Sequence, residues 1–165
     1  MSPTPHWFSL AALGLIAVFA TQNGHAQAQH RTLFSFDAPH GATPSALARG
    51  RDGTLYAVMR DGGAFGKGAV VAVSRGVARA LYSFRGQADG AAPDRAVLGT
   101  DGALYGLSTL SVVDAHAPAQ SGLFRVTPAG GFTLLSKLQG PVDSLVLASG
   151  QDGALYVSSA YEAAV

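Results

Sequence analysis

The sequence predicts an all-β chain built from a repeated unit of about 50 residues. Three observations carry this. The pentapeptide Asp52-Gly53-Thr54-Leu55-Tyr56 recurs as Asp101-Gly102-Ala103-Leu104-Tyr105 and as Asp152-Gly153-Ala154-Leu155-Tyr156, at spacings of 49 and 51 residues. Such in-phase recurrence is the mark of a repeat architecture. The composition is 48% hydrophobic and 13% charged, with 21 glycines among 165 residues. Much of the hydrophobic share is Ala and Val, and small and β-branched residues punctuated by Gly suit short strands and tight turns. Each Asp-Gly also lies between two short apolar runs, which is a hairpin signal.

The elements begin with an apolar run at residues 7–20, Trp-Phe-Ser-Leu-Ala-Ala-Leu-Gly-Leu-Ile-Ala-Val-Phe-Ala. Its 14 residues fall short of the roughly 20 needed to span a bilayer core. It fits the helical core of a secretory signal, and Ala26-Gln27-Ala28 supplies a small-x-small cleavage pattern. The expectation is a signal-peptide helix within residues 1–28, cleaved after Ala28. An uncleaved anchor or a buried N-terminal helix is the alternative, because residues 1–6 hold no Lys or Arg. The repeat domain is then 29–165, with units at about 33–84 and 85–138 and an incomplete one at 139–165.

Within the first unit, strands are expected at residues 46–48, 55–59, 69–73 and 79–84. In the second they fall at 96–98, 104–107, 123–126 and 132–135, and in the third at 145–147 and 155–157. The Asp-Gly turns read as type I′, with positive φ at both central residues. Other landmarks keep phase. Leu33-Phe34-Ser35-Phe36 matches Leu81-Tyr82-Ser83-Phe84, and Gly41-Ala42-Thr43-Pro44 matches Gly90-Ala91-Ala92-Pro93. Four short antiparallel strands per unit make a β-propeller blade. A β-sandwich is the competing architecture.

These residues resemble the GloVer repeat of exported bacterial proteins. The resemblance rests on Leu81-Tyr82-Ser83-Phe84, Asp89-Gly90-Ala91-Ala92-Pro93, Leu98-Gly99-Thr100-Asp101-Gly102-Ala103-Leu104-Tyr105-Gly106 and Leu123-Phe124-Arg125-Val126-Thr127-Pro128-Ala129-Gly130. His40 stands where the pattern has Asp, and Ala57 and Val157 stand where it has Gly. The resemblance implies a propeller-like fold and an exported location, and no particular activity. The strand count from Leu33 is about eleven, too few for a closed propeller of four to eight blades. A truncated member, self-assembly through open edges, or completion of the third unit by the strand near Thr32 would each account for that.

Little in the sequence points to chemistry. The formal net charge is +1 with no basic run, which argues against nucleic acid as a partner. Cysteine is absent, so disulfides and thiolate chemistry are excluded. Asp52, Asp101 and Asp152 read as turn formers before cation ligands. Tyr56, Tyr105 and Tyr156 read as packing between blades before a sugar-binding ledge. His6, His25, His30, His40 and His116 show no zinc-ligand spacing. Gly66-Lys67-Gly68 lacks the rest of a P-loop and reads as a flexible loop. Gly106-Leu107-Ser108-Thr109-Leu110 lacks the last Gly of a nucleophile elbow. One Glu among the acids leaves a glycosidase pair unsupported.

No catalytic, cofactor-binding or metal-binding residue is therefore assigned, and no cofactor is expected. The function expected is an exported, secreted or periplasmic, non-enzymatic binding or scaffold module for an extracellular or periplasmic ligand. Membrane contact would come only through an uncleaved signal segment. The alternative is a propeller-type hydrolase or lactonase, with Asp37, Asp94, Asp114 and Asp143 as its funnel residues.

Overall fold

The computed structural model describes residues 13–19, 29–36, 40–86, 88–111 and 119–159. Twelve strands run through them: β1 (Leu13–Phe19), β2 (Gln29–Phe36), β3 (Pro44–Arg49), β4 (Leu55–Met59), β5 (Ala69–Ser74), β6 (Val77–Ser83), β7 (Ala91–Leu98), β8 (Leu104–Ser111), β9 (Gln120–Val126), β10 (Phe132–Gln139), β11 (Leu145–Ser149) and β12 (Leu155–Ser159). The chain is all-β. Strands β3-β4-β5-β6 form one four-stranded sheet and β7-β8-β9-β10 another, each an antiparallel meander. Strands β11 and β12 pair with each other, and so do β1 and β2.

The N-terminal segment departs from expectation. Leu13–Phe19 is a strand antiparallel to β2, with Leu15 opposite Phe34, and not a helix. A short unbroken apolar run has no periodicity to separate strand from helix. An adjacent strand offering backbone partners decides it. No helix among the described residues is long and apolar enough to cross a membrane. The expected cleavage site at Ala28 lies outside the described residues. Strand β2, moreover, pairs with β1 and does not join the β11–β12 sheet.

The Asp-Gly turn is also different in kind. Positive φ is confined to the glycine, at 83° for Gly53, 76° for Gly102 and 84° for Gly153. Gly53 N–H donates to the Gly50 carbonyl at 3.0 Å, and Gly50 N–H donates to the Thr54 carbonyl at 2.7 Å. That is a type I turn closed by a left-handed Gly, the three-residue hairpin loop rather than the two-residue I′ loop. The same pair of bonds recurs at Gly99 with Gly102 and at Gly150 with Gly153. A true two-residue loop occurs instead at Arg75-Gly76, with φ of 52° and 78°.

The Asp carboxylate fastens this loop. Its Oδ1 accepts the N–H two residues on, at 3.1 Å for Asp52, 3.1 Å for Asp101 and 3.0 Å for Asp152. Its Oδ2 accepts the Tyr hydroxyl four residues on, at 3.0 Å in Asp101–Tyr105 and 3.2 Å in Asp152–Tyr156. In the first copy the Thr54 hydroxyl takes that place, at 2.8 Å. The first glycine of the loop makes room for both partners. A Cβ at Gly99 would stand 2.5 Å from Tyr105 Cε2 and 2.7 Å from Asp101 Oδ1.

The sheets stack face to face, and period-two alternation sends each strand's side chains into two different cores. From β4, Tyr56 and Val58 face the second sheet, where they meet Leu104, Phe124 and Val126. Ala57 and Met59 face the other way, onto Phe36 and Phe34 of β2. From the second sheet, Leu107 packs with Val142, Leu145 and Leu147 of the third unit. The end of β6 enters the first interface. Phe84 lies fully buried, edge-on to Phe124 at 5.1 Å and to Tyr82 at 5.2 Å, and Tyr82 stacks on Phe132 at 4.3 Å. Burying each such ring contributes about 1.5–3 kcal/mol.

Strand β2 repeats that wedge one sheet earlier. Its Phe34 and Phe36 occupy the places of Tyr82 and Phe84, and the ladder skips Leu33 just as the β5–β6 ladder skips Leu81. The Leu-x-Ser-Phe landmark is therefore the strand end that seals one sheet against the next.

The hairpin geometry separates two kinds of glycine. Replacing Gly99 with Ala, at ordinary φ but without room, is expected to destabilise by about 1–3 kcal/mol through overpacking against Tyr105. Replacing Gly102 with Ala, with open space but positive φ, is expected to cost about 1–2 kcal/mol from backbone strain alone. Denaturant melts of both variants, each repeated on Tyr105→Ala, check this. The Gly99 penalty should shrink when the ring is gone and the Gly102 penalty should not.

Candidate functional site

Two places gather polar side chains from more than one sheet. The first lies along β3, β7 and β11, the first strands of the three units, which are spatial neighbours. Strand β7 is irregular there. Ala92 and Arg95 take positive φ of 44° and 43°, and the ladder to β8 slips on both sides of Asp94. Bulges re-aim side chains, and here they send two charges in different directions. Asp94 Oδ2 reaches Arg60 of the first unit at 3.2 Å, while its Oδ1 accepts the Arg95 N–H at 2.7 Å. The Arg95 guanidinium donates to the carbonyls of Val142 at 3.5 Å and Asp143 at 3.2 Å. The Arg60 guanidinium also pairs with Asp143, again at 3.2 Å.

Arg60 thus bridges aspartates of two other units. Of the four funnel candidates, the structure brings Asp94 and Asp143 to one guanidinium. Asp37 and Asp114 lie outside the described residues. Asp94 is largely covered and Asp143 is exposed. Both carboxylates are taken up by contacts that join one unit to another, so this pair serves as anchorage before acid-base chemistry. Arg60 was not singled out from the sequence. It lies just past β4, in a stretch whose periodicity says nothing about a partner more than thirty residues away.

The second place is the end of the stack that carries the Asp-Gly hairpins. A cleft of about 270 Å³ opens between the first two hairpins, lined by Arg51, Asp52, Tyr56, Leu98, Thr100 and Pro128 among others. A neighbouring one of about 360 Å³ shares Asp52, Tyr56 and Pro128 and adds Arg79. Arg79 donates to the Pro128 carbonyl at 2.7 Å, tying the two sheets together at this end. The Thr54 hydroxyl and backbone hold the Asp52 carboxyl below the usual carboxylate range, and burial pushes the Tyr56 hydroxyl up. The cleft wall therefore carries a carboxylate and a neutral phenol at neutral pH.

The tyrosines do not share one fate. Tyr56 is 7% exposed and packs between the sheets, whereas Tyr156 is 58% exposed. Tyr105 is half-buried. Its hydroxyl accepts from Arg125 Nε at 3.1 Å, and Arg125 Nη2 grips Asp101 at 2.7 Å. That guanidinium holds the Asp101 carboxyl below its ordinary range. Packing between sheets, expected of all three, holds for Tyr56.

The remaining motifs are structural where they are described. The Gly66-Lys67-Gly68 loop is docked rather than flexible. Its Lys67 carbonyl accepts from Ala92 of the next unit at 3.0 Å, and its Gly68 carbonyl accepts from Phe84 at 2.9 Å. Backbone bonds across units fix such a loop. Ser108 lies within β8, and its buried hydroxyl donates to the Asp89 carbonyl at 3.2 Å. His40 sits edge-on to Phe34 at 6.1 Å. His6, His25 and His116 lie outside the described residues, as does the side chain of His30. Among the described residues no group of three or more His, Cys, Asp or Glu side chains is placed to hold a metal ion.

One residue emerges that the sequence reading passed over. Asp89, 8% exposed, accepts the Tyr82 hydroxyl at 2.7 Å and the Arg85 N–H at 2.9 Å. Burial and this carboxylate push the Tyr82 hydroxyl up to about 12. Its place before Gly90, in the Asp-Gly-x-x-Pro stretch, was the available signal.

A scan against protein-family models finds no match for this chain, and a search of curated proteins finds none either.

If Arg60 is anchorage, its loss should loosen the units. Arg60→Met and Asp94→Asn are each expected to destabilise by about 1 kcal/mol, and the double variant by clearly less than the sum. Equilibrium denaturation of the four proteins gives the coupling directly. Strict additivity would show that the pair contributes nothing.

Proposed function

We propose that the chain is an exported, non-enzymatic binding or scaffold module, folded as a partial β-propeller-like array of blades of the GloVer-repeat kind. The stacked meander sheets, with first strands β3, β7 and β11 side by side, support the propeller reading. The apolar run and the Ala26-Gln27-Ala28 pattern support secretion or a periplasmic location. Cleavage after Ala28 removes β1 and leaves β2 whole, because β2 starts at Gln29.

One observation carries the non-enzymatic reading. Two of the four funnel aspartates that a hydrolase would use, Asp94 and Asp143, are engaged by Arg60 in contacts that join units, and Asp94 also accepts the Arg95 N–H. The hairpin end offers the ligand surface instead. Its two adjoining clefts lie between the first two sheets, are walled by charged, phenolic and backbone groups, and lie on loops, where binding surfaces are commonly placed on a rigid scaffold.

The competing reading is a propeller-type hydrolase or lactonase, with Asp94 and Asp143 among its four funnel residues Asp37, Asp94, Asp114 and Asp143. Purified protein assayed against chromogenic lactones and esters separates the two. The expected result is no turnover above that of the Asp94→Asn/Asp143→Asn variant. Turnover that these two substitutions abolish, without loss of fold by circular dichroism, would overturn the binding reading.

A further inference from the structure

The sequence holds five Asp-Gly pairs, starting at Asp52, Asp61, Asp89, Asp101 and Asp152. In such a pair the glycine nitrogen can close on the side-chain carboxyl of the aspartate before it, because no Cβ shields the approach. The fold decides which pair has both reacting groups free. In the three hairpins both are held. The nitrogens of Gly53, Gly102 and Gly153 donate to the carbonyl three residues back, at 3.0, 3.0 and 3.2 Å. The carboxylates of Asp52, Asp101 and Asp152 accept the N–H two residues on. Asp89 is buried, and its carboxylate accepts from Tyr82 and Arg85. Asp61 differs. It is exposed, and neither its carboxyl nor the Gly62 N–H has a hydrogen-bond or ion-pair partner among the described residues.

We propose that Asp61-Gly62 is a modification site, where the folded chain forms a succinimide and passes on to a β-linked isoaspartate. The Gly62 nitrogen bonds to Cγ of the protonated Asp61 side chain. The carboxyl hydroxyl leaves with the amide proton as water. Water then adds back at either carbonyl of the ring. Addition at Cγ restores aspartate. Addition at the α-carbonyl leaves the main chain running through Cβ and Cγ, and the former α-carbonyl becomes a free carboxylate. Mass is unchanged, and nothing is oxidised or reduced. The protonated acid is the reacting form. Thr54 holds Asp52 in its charged form and Arg125 does the same for Asp101, which protects those two pairs further.

The site sits at a junction between units. The Asp61 carbonyl accepts the Ala42 N–H at 3.1 Å, and the Arg60 N–H before it donates to the Thr43 carbonyl at 2.7 Å. The Arg60 side chain carries the bridge to Asp94 and Asp143. Beyond Gly62 the loop reaches Lys67, whose carbonyl holds Ala92 of the second unit. A β-linkage adds one carbon to the main chain between those two ties and takes the acceptor of Ala42 out of the main chain. Isomerisation therefore loosens the first unit from the second.

Ageing the folded chain at neutral pH in heavy-oxygen water, followed by peptide mapping with fragmentation that distinguishes the β-linkage, tests this. Label and β-linkage should accumulate at Asp61 ahead of the other four pairs. In urea all five should react at similar rates, since the selection comes from the fold. The aged fraction should lose hydrogen-exchange protection at the Ala42 amide. Asp61→Glu, at an exposed position, should abolish the label and keep that protection. No label at Asp61 in the folded chain would overturn the proposal. So would another pair reacting as fast, an equal preference for Asp61 in urea, or unchanged Ala42 protection in the isomerised fraction. None of these results bears on the turnover assay.

Discussion

Both four-stranded sheets are apolar on both faces, and that constraint organises the rest. A four-stranded meander with one wet face can stand against a single core. One with two dry faces needs a neighbour on each side. Strand β4 makes the point: Tyr56 and Val58 need one neighbour, Ala57 and Met59 another. The aromatic wedge meets the need at the first interface. Phe84, at the end of the first sheet, fills the gap in front of the second, where Phe124 and Phe132 close around it. The polar contacts follow from the same stacking. Tyr82 reaches Asp89, Lys67 reaches Ala92 and Arg60 reaches Asp94 only because the sheets already lie face to face.

Much of this was legible in the sequence because it is local. Strands and turns follow from period-two alternation and from Gly at fixed offsets, and the four-strand unit follows from the phase of the repeat. The Asp-Gly-x-Leu-Tyr signature was readable as a register mark. Its mechanism was not. The loop is one residue longer than the type I′ reading supposed, and in the second and third copies the tyrosine hydroxyl donates to the aspartate four residues back. No propensity distinguishes a ring that packs from a ring that also donates.

What stayed hidden is long-range. Asp94 and Asp143 were visible as acids near the starts of the second and third units, but Arg60, which joins them, lies in the first. The bulges around Asp94 decide which way that side chain points, and bulges have no dependable sequence signal outside Gly. The strand at Leu13–Phe19 was hidden for another reason. Its residues suit strand and helix alike, and a partner chosen by tertiary context settles between them.

The central claim is that the inter-sheet wedge holds the stack as one cooperative body. Native-state hydrogen exchange on Phe84→Leu tests it most directly. The substitution should cost about 1 kcal/mol. If the wedge couples the sheets, the slowest amides of β4 and of β8 should lose protection together and by the same amount. Loss confined to β4 and its own sheet, with β8 unchanged, would contradict the account.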